Sequence, residues 1–517
     1  MQEARQEEYT HAQVTATVTP PLRTTTITTT TTMGGDTQLR DLLRDGWAPG
    51  AWKSPIVNPT EPYAVVEDHL VRYRGFDTLV PYTFTQLVER IAQPILDTLL
   101  DPESHCRVYV LCCDDRSNTP KLKVEEQVDR IQKVKASEAN RGLLPVDPYP
   151  VGTTLCDAGV QLPDGTQQLL CLRRLALSRW YGAPAEAPWS NLGNQLWQYV
   201  LDHLAERMAV CPLEDRTLIL DYDKAGPWEV RAGNVPLHRT DWAHGHGESD
   251  TSEVWWSKHL VAARPQLKHI VWVSNDTDRI PIYCSYHPRR EDKVTLWWHV
   301  KPGNTMVDLA KMAEGILERG RDTLQRTPPL KFQSLAQFVF LFIVCGVDNV
   351  KKKYYAHGFG CRDLLNAVLK MDYHALKTPE ARFDAFLSYL YQAETVQAKQ
   401  PLVIATKSCP GKRKFETEDD DDKENVPLAE TVFEQLRRED RDPKRKKPKW
   451  TLLPSPRERA WQAACVDWTQ RYWEHADTGE RDPEPQMPAG LMEEREARRP
   501  ASESAKGPRK TKRLEAS

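Results

Sequence analysis

Between residues 53 and 395, short apolar runs alternate along the chain with longer segments of helical periodicity. The clearest short runs are Val108–Cys113, Thr217–Leu220, His269–Val273 and Val294–Val300. Apolar runs of this length are typical of buried strands, whereas apolar residues that recur every three or four positions indicate helices. The alternation predicts an α/β fold in which helices flank a central, mostly parallel sheet.

Helical periodicity is strongest in the second half of this region. The predicted helices are Asn191–Met208 with Ser190 as N-cap, Met306–Leu324, Leu335–Cys345, Arg362–Met371 and Pro379–Gln392. The most apolar of them, Leu335–Cys345, is too short to span a bilayer. We therefore divide the predicted folded region into residues 53–300, which carry the strands, and a helical part, residues 301–395.

Both ends of the chain differ in composition from this region. Residues 1–52 include a threonine-rich stretch, and residues 396–517 are dense in charge and proline. Such segments cannot bury enough apolar surface to offset the entropy lost on ordering, so we predict two disordered arms. One exception is 457–476, where tryptophans recur at near-helical spacing, which predicts a helix that docks on the core or on a partner.

Net charge says little about function, because 70 Lys and Arg nearly balance 73 Asp and Glu. The 11 cysteines include no CxxC pair, which favours reduced thiols in an intracellular protein. The N-terminus lacks the apolar core of a signal peptide, so neither secretion nor membrane insertion is expected. The chain contains no GxxxxGK[ST] phosphate-binding motif, which argues against a helicase.

Two aspartates follow a predicted strand in the segment HIVWVSNDTD. Asp276 and Asp278 are separated by one residue, and in extended chain such residues point the same way. Two like charges on one face repel each other unless a cation lies between them, so the pattern suggests a divalent metal site. The alternative is a solvated turn.

A second acidic pair, Glu248 and Asp250, stands at the predicted start of a helix in GHGESDTSEVWW. Carboxylates there are stabilised by the helix dipole and could also bind a metal. The competing interpretation is a capping box with Asp250 as N-cap and Glu253 at N3.

Two further acidic positions precede basic residues. Asp114 and Asp115 follow a predicted strand, and Lys123 and Arg130 come after them, seven residues apart and thus on one face of a helix. Farther on, Asp348 follows the apolar helix and precedes a basic, glycine-containing segment. Each feature could also be an ordinary strand end or helix end with a solvated basic loop.

Taken in order, these motifs resemble those of the flap-endonuclease and XPG-type nucleases, a PIN-like superfamily. That family has a strand-end Asp followed by Pro, Lys and Arg, then a GEAEA-like motif, a D-x-D strand end, and GxDY before a glycine turn. The matching segments here are Asp115–Pro120–Lys123–Arg130, GESD at 247–250, NDTD at 275–278 and CGVDN at 345–349. The resemblance covers roughly residues 60–365.

The chain departs from the family pattern at two places. An extra residue separates the strand-end aspartate from Pro120, which leaves open whether Asp114 or Asp115 is the ligand. Asn349 replaces the usual tyrosine. The family's first aspartate is matched by Asp68, with Glu67 beside it.

Asp221 and Asp223 form another acidic strand end outside the family order; we interpret them as structural, with a ligand role open.

The resemblance implies a nuclease that hydrolyses phosphodiester bonds in DNA, at flaps or 5′ ends, with two Mg²⁺ or Mn²⁺ ions clamping the attacking and leaving oxygens. By resemblance, Asp114 or Asp115, Glu248, Asp250 and Asp276 form the catalytic cluster, Asp278 and Asp348 complete the shell of the second ion, and Asp68 matches the family's first aspartate. Lys123 and Arg130 would stabilise charge on the scissile phosphate. Lys351, Lys352, Lys353, Gly358 and Gly360 would contact the nucleic-acid backbone within the helical part.

Two alternatives to a DNA nuclease remain: an RNA-cleaving enzyme of the same fold, and a catalytically inactive protein that binds nucleic acid or acts as a scaffold.

Short basic clusters in the C-terminal arm predict nuclear import. The residues are Lys412, Arg413, Lys414, Lys444, Arg445, Lys446 and Lys447. We therefore expect a nuclear protein that binds nucleic acid, with protein partners recruited through this arm and no membrane contact.

Overall fold

The computed structural model describes residues 35–53, 59–69, 71, 82–114, 120, 122, 149–171, 174, 192–223, 225–300, 305–321, 328–347, 350, 355–356, 359–396, 454–491 and 493–494. Its strands, in chain order, are β1 (Trp52–Lys53), β2 (Tyr63–Asp68), β3 (Cys106–Cys112), β4 (Thr154–Cys156), β5 (Gly159–Gln161), β6 (Gln167–Gln168), β7 (Thr217–Asp221), β8 (Trp228–Arg231), β9 (Leu237–His238), β10 (His269–Ser274), β11 (Thr295–Val300) and β12 (Thr305–Asp308).

The α-helices are α1 (Gly35–Leu42), α2 (Phe84–Leu99), α3 (Leu192–Ala209), α4 (Ser249–Ala263), α5 (Arg279–Tyr286), α6 (Leu309–Arg319), α7 (Leu335–Val344), α8 (Cys361–Leu369), α9 (Pro379–Val396) and α10 (Pro456–Glu474). After β12 the described part of the chain is helical, as the sequence predicted. None of the described helices is long and apolar enough to cross a membrane.

Within the described residues, one large sheet has the strand order β1-β12-β11-β10-β2-β3-β7-β8-β9. The five central strands, from β11 to β7, run parallel, and the strands outside them pair antiparallel. A three-stranded antiparallel sheet, β4-β5-β6, is separate. The prediction of an α/β fold with a mostly parallel sheet is confirmed.

The parallel strands reverse their order of addition between β2 and β10. Counted along the chain, β2, β3 and β7 extend the sheet in one direction, and β10 and β11 then extend it from β2 in the other. In open α/β sheets, ligands bind in the crevice outside the carboxyl ends of the strands at such a switch point. The strand order therefore predicts a ligand site beside the residues that follow β2 and β10.

Both faces of the sheet are buried, which explains why its strands read as continuous apolar runs. Alternate residues of β2 enter different cores: Ala64 and Val66 belong to one, and Tyr63 and Val65 to the other. Helices α2 and α3 line the second core, whereas α4 to α10 line the first. The period-two alternation of a strand thus divides the helices between two layers.

One predicted helix begins later than its periodicity suggested. Residues 305–308 form the antiparallel edge strand β12, and the helix starts only at Leu309, with Asp308 as N-cap. The prediction of a helix from Met306 to Leu324 was therefore wrong at its start. Val307 pairs with Trp298 of β11, a non-local contact that outweighs the local helical pattern.

The predicted aromatic helix near the C-terminus is present as α10, capped by Ser455. It packs on α9, α5 and α7 of the same chain, and its Trp461, Trp468 and Trp473 are buried. The Tyr373 hydroxyl donates to Gln470 at 3.1 Å. Of the two alternatives, docking on the core is the one observed.

Candidate metal centre

Acidic side chains from three elements lie at the carboxyl ends of the central strands. Asp68 is the last residue of β2, and Asp276 and Asp278 follow β10 directly. Asp250 lies in the first turn of α4, whose preceding residue, Glu248, is the N-cap. Asp68, Glu248 and Asp250 are at most 8% exposed. Carboxylates this deeply buried stay ionised only where nearby positive charge compensates them.

Three of these carboxylates converge. One side-chain oxygen from each of Asp250, Asp276 and Asp278 lies within 4.8 Å of the other two, close enough to share one ion. Local hydrogen bonds fix the turn after β10: the amide of Asp276 donates to Ser274 Oγ at 3.0 Å. The amide of Asp278 donates to Asp276 Oδ1 at 3.2 Å. Asp250 is brought to this turn from another part of the chain.

The start of α4 is not a capping box. Glu248 is the N-cap and its side chain makes no cap hydrogen bond, while Asp250 is already helical. The interpretation of Asp250 as N-cap with Glu253 at N3 is wrong. Instead Asp114, just beyond β3, accepts a hydrogen bond from the amide of Ser249 at 3.0 Å. This bond joins the end of β3 to the helix that carries Asp250.

A buried arginine connects the acidic residues to one another. Arg279 is fully buried, and its Nε and Nη2 donate to the two carboxylate oxygens of Glu253 at 2.6 and 2.9 Å. Its Nη1 lies 2.5 Å from Asp250 Oδ1, and its Nη2 lies 3.5 Å from Asp68 Oδ2. One guanidinium therefore contacts carboxylates from β2 and from two positions of α4.

The charge on Arg279 is secure. Burial acts to lower the pKa of Arg279, but Asp250, Glu253 and Asp68 outweigh it and hold that pKa well above the ordinary value. The guanidinium is therefore a permanent cation of the cluster.

The acidic end of β7 has a structural explanation. Trp256 Nε1 donates to Asp221 Oδ2 at 2.7 Å, and His244 Nε2 lies 2.8 Å from the same oxygen. Asp223 Oδ1 accepts from the amide of Ala225 at 3.0 Å in a turn. These contacts favour the structural role of both aspartates over the ligand role.

Asp221→Ala is expected to destabilise the protein by about 1–3 kcal/mol, because the Trp256 N–H would be left buried without an acceptor. Mn²⁺ affinity is expected to stay unchanged. Urea unfolding and Mn²⁺ titration measure the two effects, with Asp223→Ala as the more exposed control. A large loss of Mn²⁺ affinity in Asp221→Ala would return this residue to the ligand set.

Several predicted site residues lie outside the described part of the chain. They are Asp115, Lys123, Arg130, Asp348, Lys351, Lys352, Lys353 and Gly358, and the basic cluster residues between 412 and 447. Gly360 is described: it is the exposed N-cap of α8, and its amide donates to Asp363 Oδ2 at 2.8 Å. The functional roles of all these residues, Gly360 included, stay predictions.

Sequence reasoning missed the pairing of Glu253 with Arg279. Both residues stand beside predicted ligands, but 26 positions separate them along the chain. The available signal was an arginine immediately after the D-x-D pair, where it would bear on the same carboxylates.

Comparison of the chain with protein-family models finds no match, and comparison with curated protein sequences finds none either.

Proposed function

We propose that this protein is a metal-dependent nuclease that hydrolyses phosphodiester bonds in nucleic acid, with flap or 5′-end structures of DNA as its substrates. The observation that carries the proposal is the convergence of Asp250, Asp276 and Asp278. Their position supports it as well, since they meet at the switch point of a parallel sheet, where ligands bind in folds of this kind. A PIN-like domain is the finer fold assignment consistent with this arrangement.

The donor set suits a hard divalent cation. Carboxylate oxygens are the protein ligands that Mg²⁺ and Mn²⁺ prefer, and no softer sulfur or imidazole donor belongs to the described group of three. When bound, such an ion polarises a phosphoryl oxygen and activates the attacking nucleophile. Asp276 and Asp278 would hold the ion from a hydrogen-bonded turn, and Asp250 would hold it from the start of α4.

Other residues take their roles from the resemblance to flap endonucleases. Lys123 and Arg130 stabilise negative charge on the scissile phosphate, while Lys351–Lys353 with Gly358 and Gly360 contact the backbone. The basic clusters at 412–414 and 444–447 direct the protein to the nucleus, and the arm that carries them recruits protein partners. DNA repair is the setting that this combination suits.

A second function is favoured by one contact. Asp68, the family's first ligand by resemblance, is 3.5 Å from Arg279 Nη2, so it already has a cation beside it. A nuclease-like protein that binds nucleic acid without cleaving it would tolerate that contact.

The proposal is tested with labelled 5′-flap DNA and single-stranded RNA, each with Mg²⁺, Mn²⁺ or EDTA. Asp276→Asn/Asp278→Asn is expected to lower the cleavage rate by about 10³-fold, the scale of losing a preorganised electrostatic contact. Cleavage by the wild-type protein is expected to stop in EDTA, and the polymer that is cut identifies the substrate.

Asp157→Asn is the matched control, because Asp157 is exposed in the turn between β4 and β5, which belong to the separate three-stranded sheet. It is expected to cleave at the wild-type rate. Wild-type protein that binds both polymers but cuts neither would replace the nuclease proposal with the binding function.

A further inference from the structure

The cation that contacts three of the buried carboxylates near the candidate site, Arg279, is part of the chain. Four contacts to three carboxylates use all three nitrogens of Arg279, so the guanidinium is held in one orientation. A two-ion site places its cations about 3.5–4 Å apart with carboxylates between them. Here the fixed positive charge of Arg279 already contacts one carboxylate of the group of three, Asp250.

Asp250 is that shared carboxylate. It has an oxygen within 4.8 Å of oxygens of Asp276 and Asp278, and its Oδ1 meets Arg279 Nη1 at 2.5 Å. Asp250 therefore belongs to the group of three and also contacts the guanidinium. A carboxylate that bridges two metal ions has the same relation to its two cations.

Asp68 belongs to the arginine side of this arrangement. Its Oδ2 lies 3.5 Å from Arg279, and its Oδ1 lies 3.4 Å from His69 Nδ1. Asp68 is buried, and it is not a member of the described group of three carboxylates. The resemblance assigned it to a metal ion, whereas this structure gives it protein partners.

We propose that the guanidinium of Arg279 replaces one of the two cations of a two-ion site, so that the acidic centre binds a single exchangeable divalent ion between Asp250, Asp276 and Asp278. This inference rests on the proposed function, since it concerns the same site. It changes the proposed number of ions from two to one. Asp250 is the residue through which the fixed cation and the exchangeable ion act on each other.

The test is Mn²⁺ binding to the full-length protein after dialysis against EDTA, followed by calorimetry and electron paramagnetic resonance. The wild-type protein is expected to bind one Mn²⁺ per chain, with the spectrum of an isolated ion. Arg279→Lys keeps the positive charge and is expected to bind one. Arg279→Gln removes the charge and is expected to bind two, with spectral coupling between neighbouring ions.

Two Mn²⁺ ions per wild-type chain with a coupled spectrum would overturn the inference, even if Arg279→Gln fails to fold. Binding of none would overturn it too and would remove the proposed metal site. The two proposals can fail separately. Two bound ions together with cleavage would contradict the single-ion proposal and support the nuclease. One bound ion without cleavage would contradict the nuclease and support the role of Arg279. Asp276→Asn/Asp278→Asn is expected to abolish the single binding event; retained binding would place the ion elsewhere and refute the inference.

Discussion

A chain that ends at residue 453 is expected to lose its cooperative thermal transition. This truncation removes α10, whose Trp461, Trp468, Tyr472 and Trp473 are each at most 7% exposed. Loss of one buried large aromatic costs about 3–5 kcal/mol. Because whole domains are stable by only about 5–15 kcal/mol, loss of all four exceeds what the remaining core can tolerate. Differential scanning calorimetry and near-ultraviolet circular dichroism measure the result.

The matched control is a chain that ends at residue 494, which keeps every described residue. It is expected to melt as the full-length protein does. If the chain ending at 453 also melted cooperatively near the wild-type temperature, α10 would be an accessory element and its burial would contribute little to stability.

The same segment also bears on the candidate site. The Tyr472 hydroxyl lies 3.2 Å from the Thr251 hydroxyl, and Thr251 is the residue that follows Asp250. Glu484 Oε2 accepts a hydrogen bond from the amide of Leu122 at 3.2 Å, beside Lys123. The C-terminal segment therefore contacts the helix that carries a candidate ligand, and it also accepts a hydrogen bond from the backbone of Leu122.

The central strands were predictable because a sheet buried on both faces requires continuous apolar runs, as in β3 and β10. The edge strands were not. Trp52–Lys53 has two residues, too few for any periodicity, and it forms by pairing with Met306 and Val307 of β12. Such pairings join segments far apart in sequence, and no local pattern encodes them.

The candidate site also has one part that the sequence predicted and one part that it did not. The order of acidic motifs placed Asp250, Asp276 and Asp278 in one larger ligand set, with Asp278 assigned to the second ion. In the structure these three lie together at the end of the central strands. The pairing of Glu253 was not predicted, since locally Glu253 matched a helix cap. Its pairing with Arg279 depends on how α4 and α5 pack, which is a tertiary property.

Arg279→Met is expected to lower the free energy of unfolding by about 3–5 kcal/mol, the cost of leaving a buried charge without its partner. It would leave Glu253, Asp250 and Asp68 without their shared cation. Glu253→Leu is expected to cost less, because Arg279 keeps Asp250 and Asp68 beside it. The double variant is expected to be more stable than Arg279→Met alone, since it no longer buries the Glu253 carboxyl group, whose pKa burial raises, without its hydrogen-bonding partner. Urea unfolding at neutral pH in EDTA measures all three.

The surface pair of Arg289 with Asp477, 3.0 Å apart, provides the control. Arg289 is 39% exposed, and Arg289→Met is expected to change stability by no more than about 1 kcal/mol, as for other exposed ion pairs. If Arg279→Met were as mild as Arg289→Met, the guanidinium would not be balancing the buried carboxylates. An added divalent ion is expected to raise the free energy of unfolding of Arg279→Met more than that of the wild-type protein. The reason is that only the variant has lost the fixed cation of the cluster.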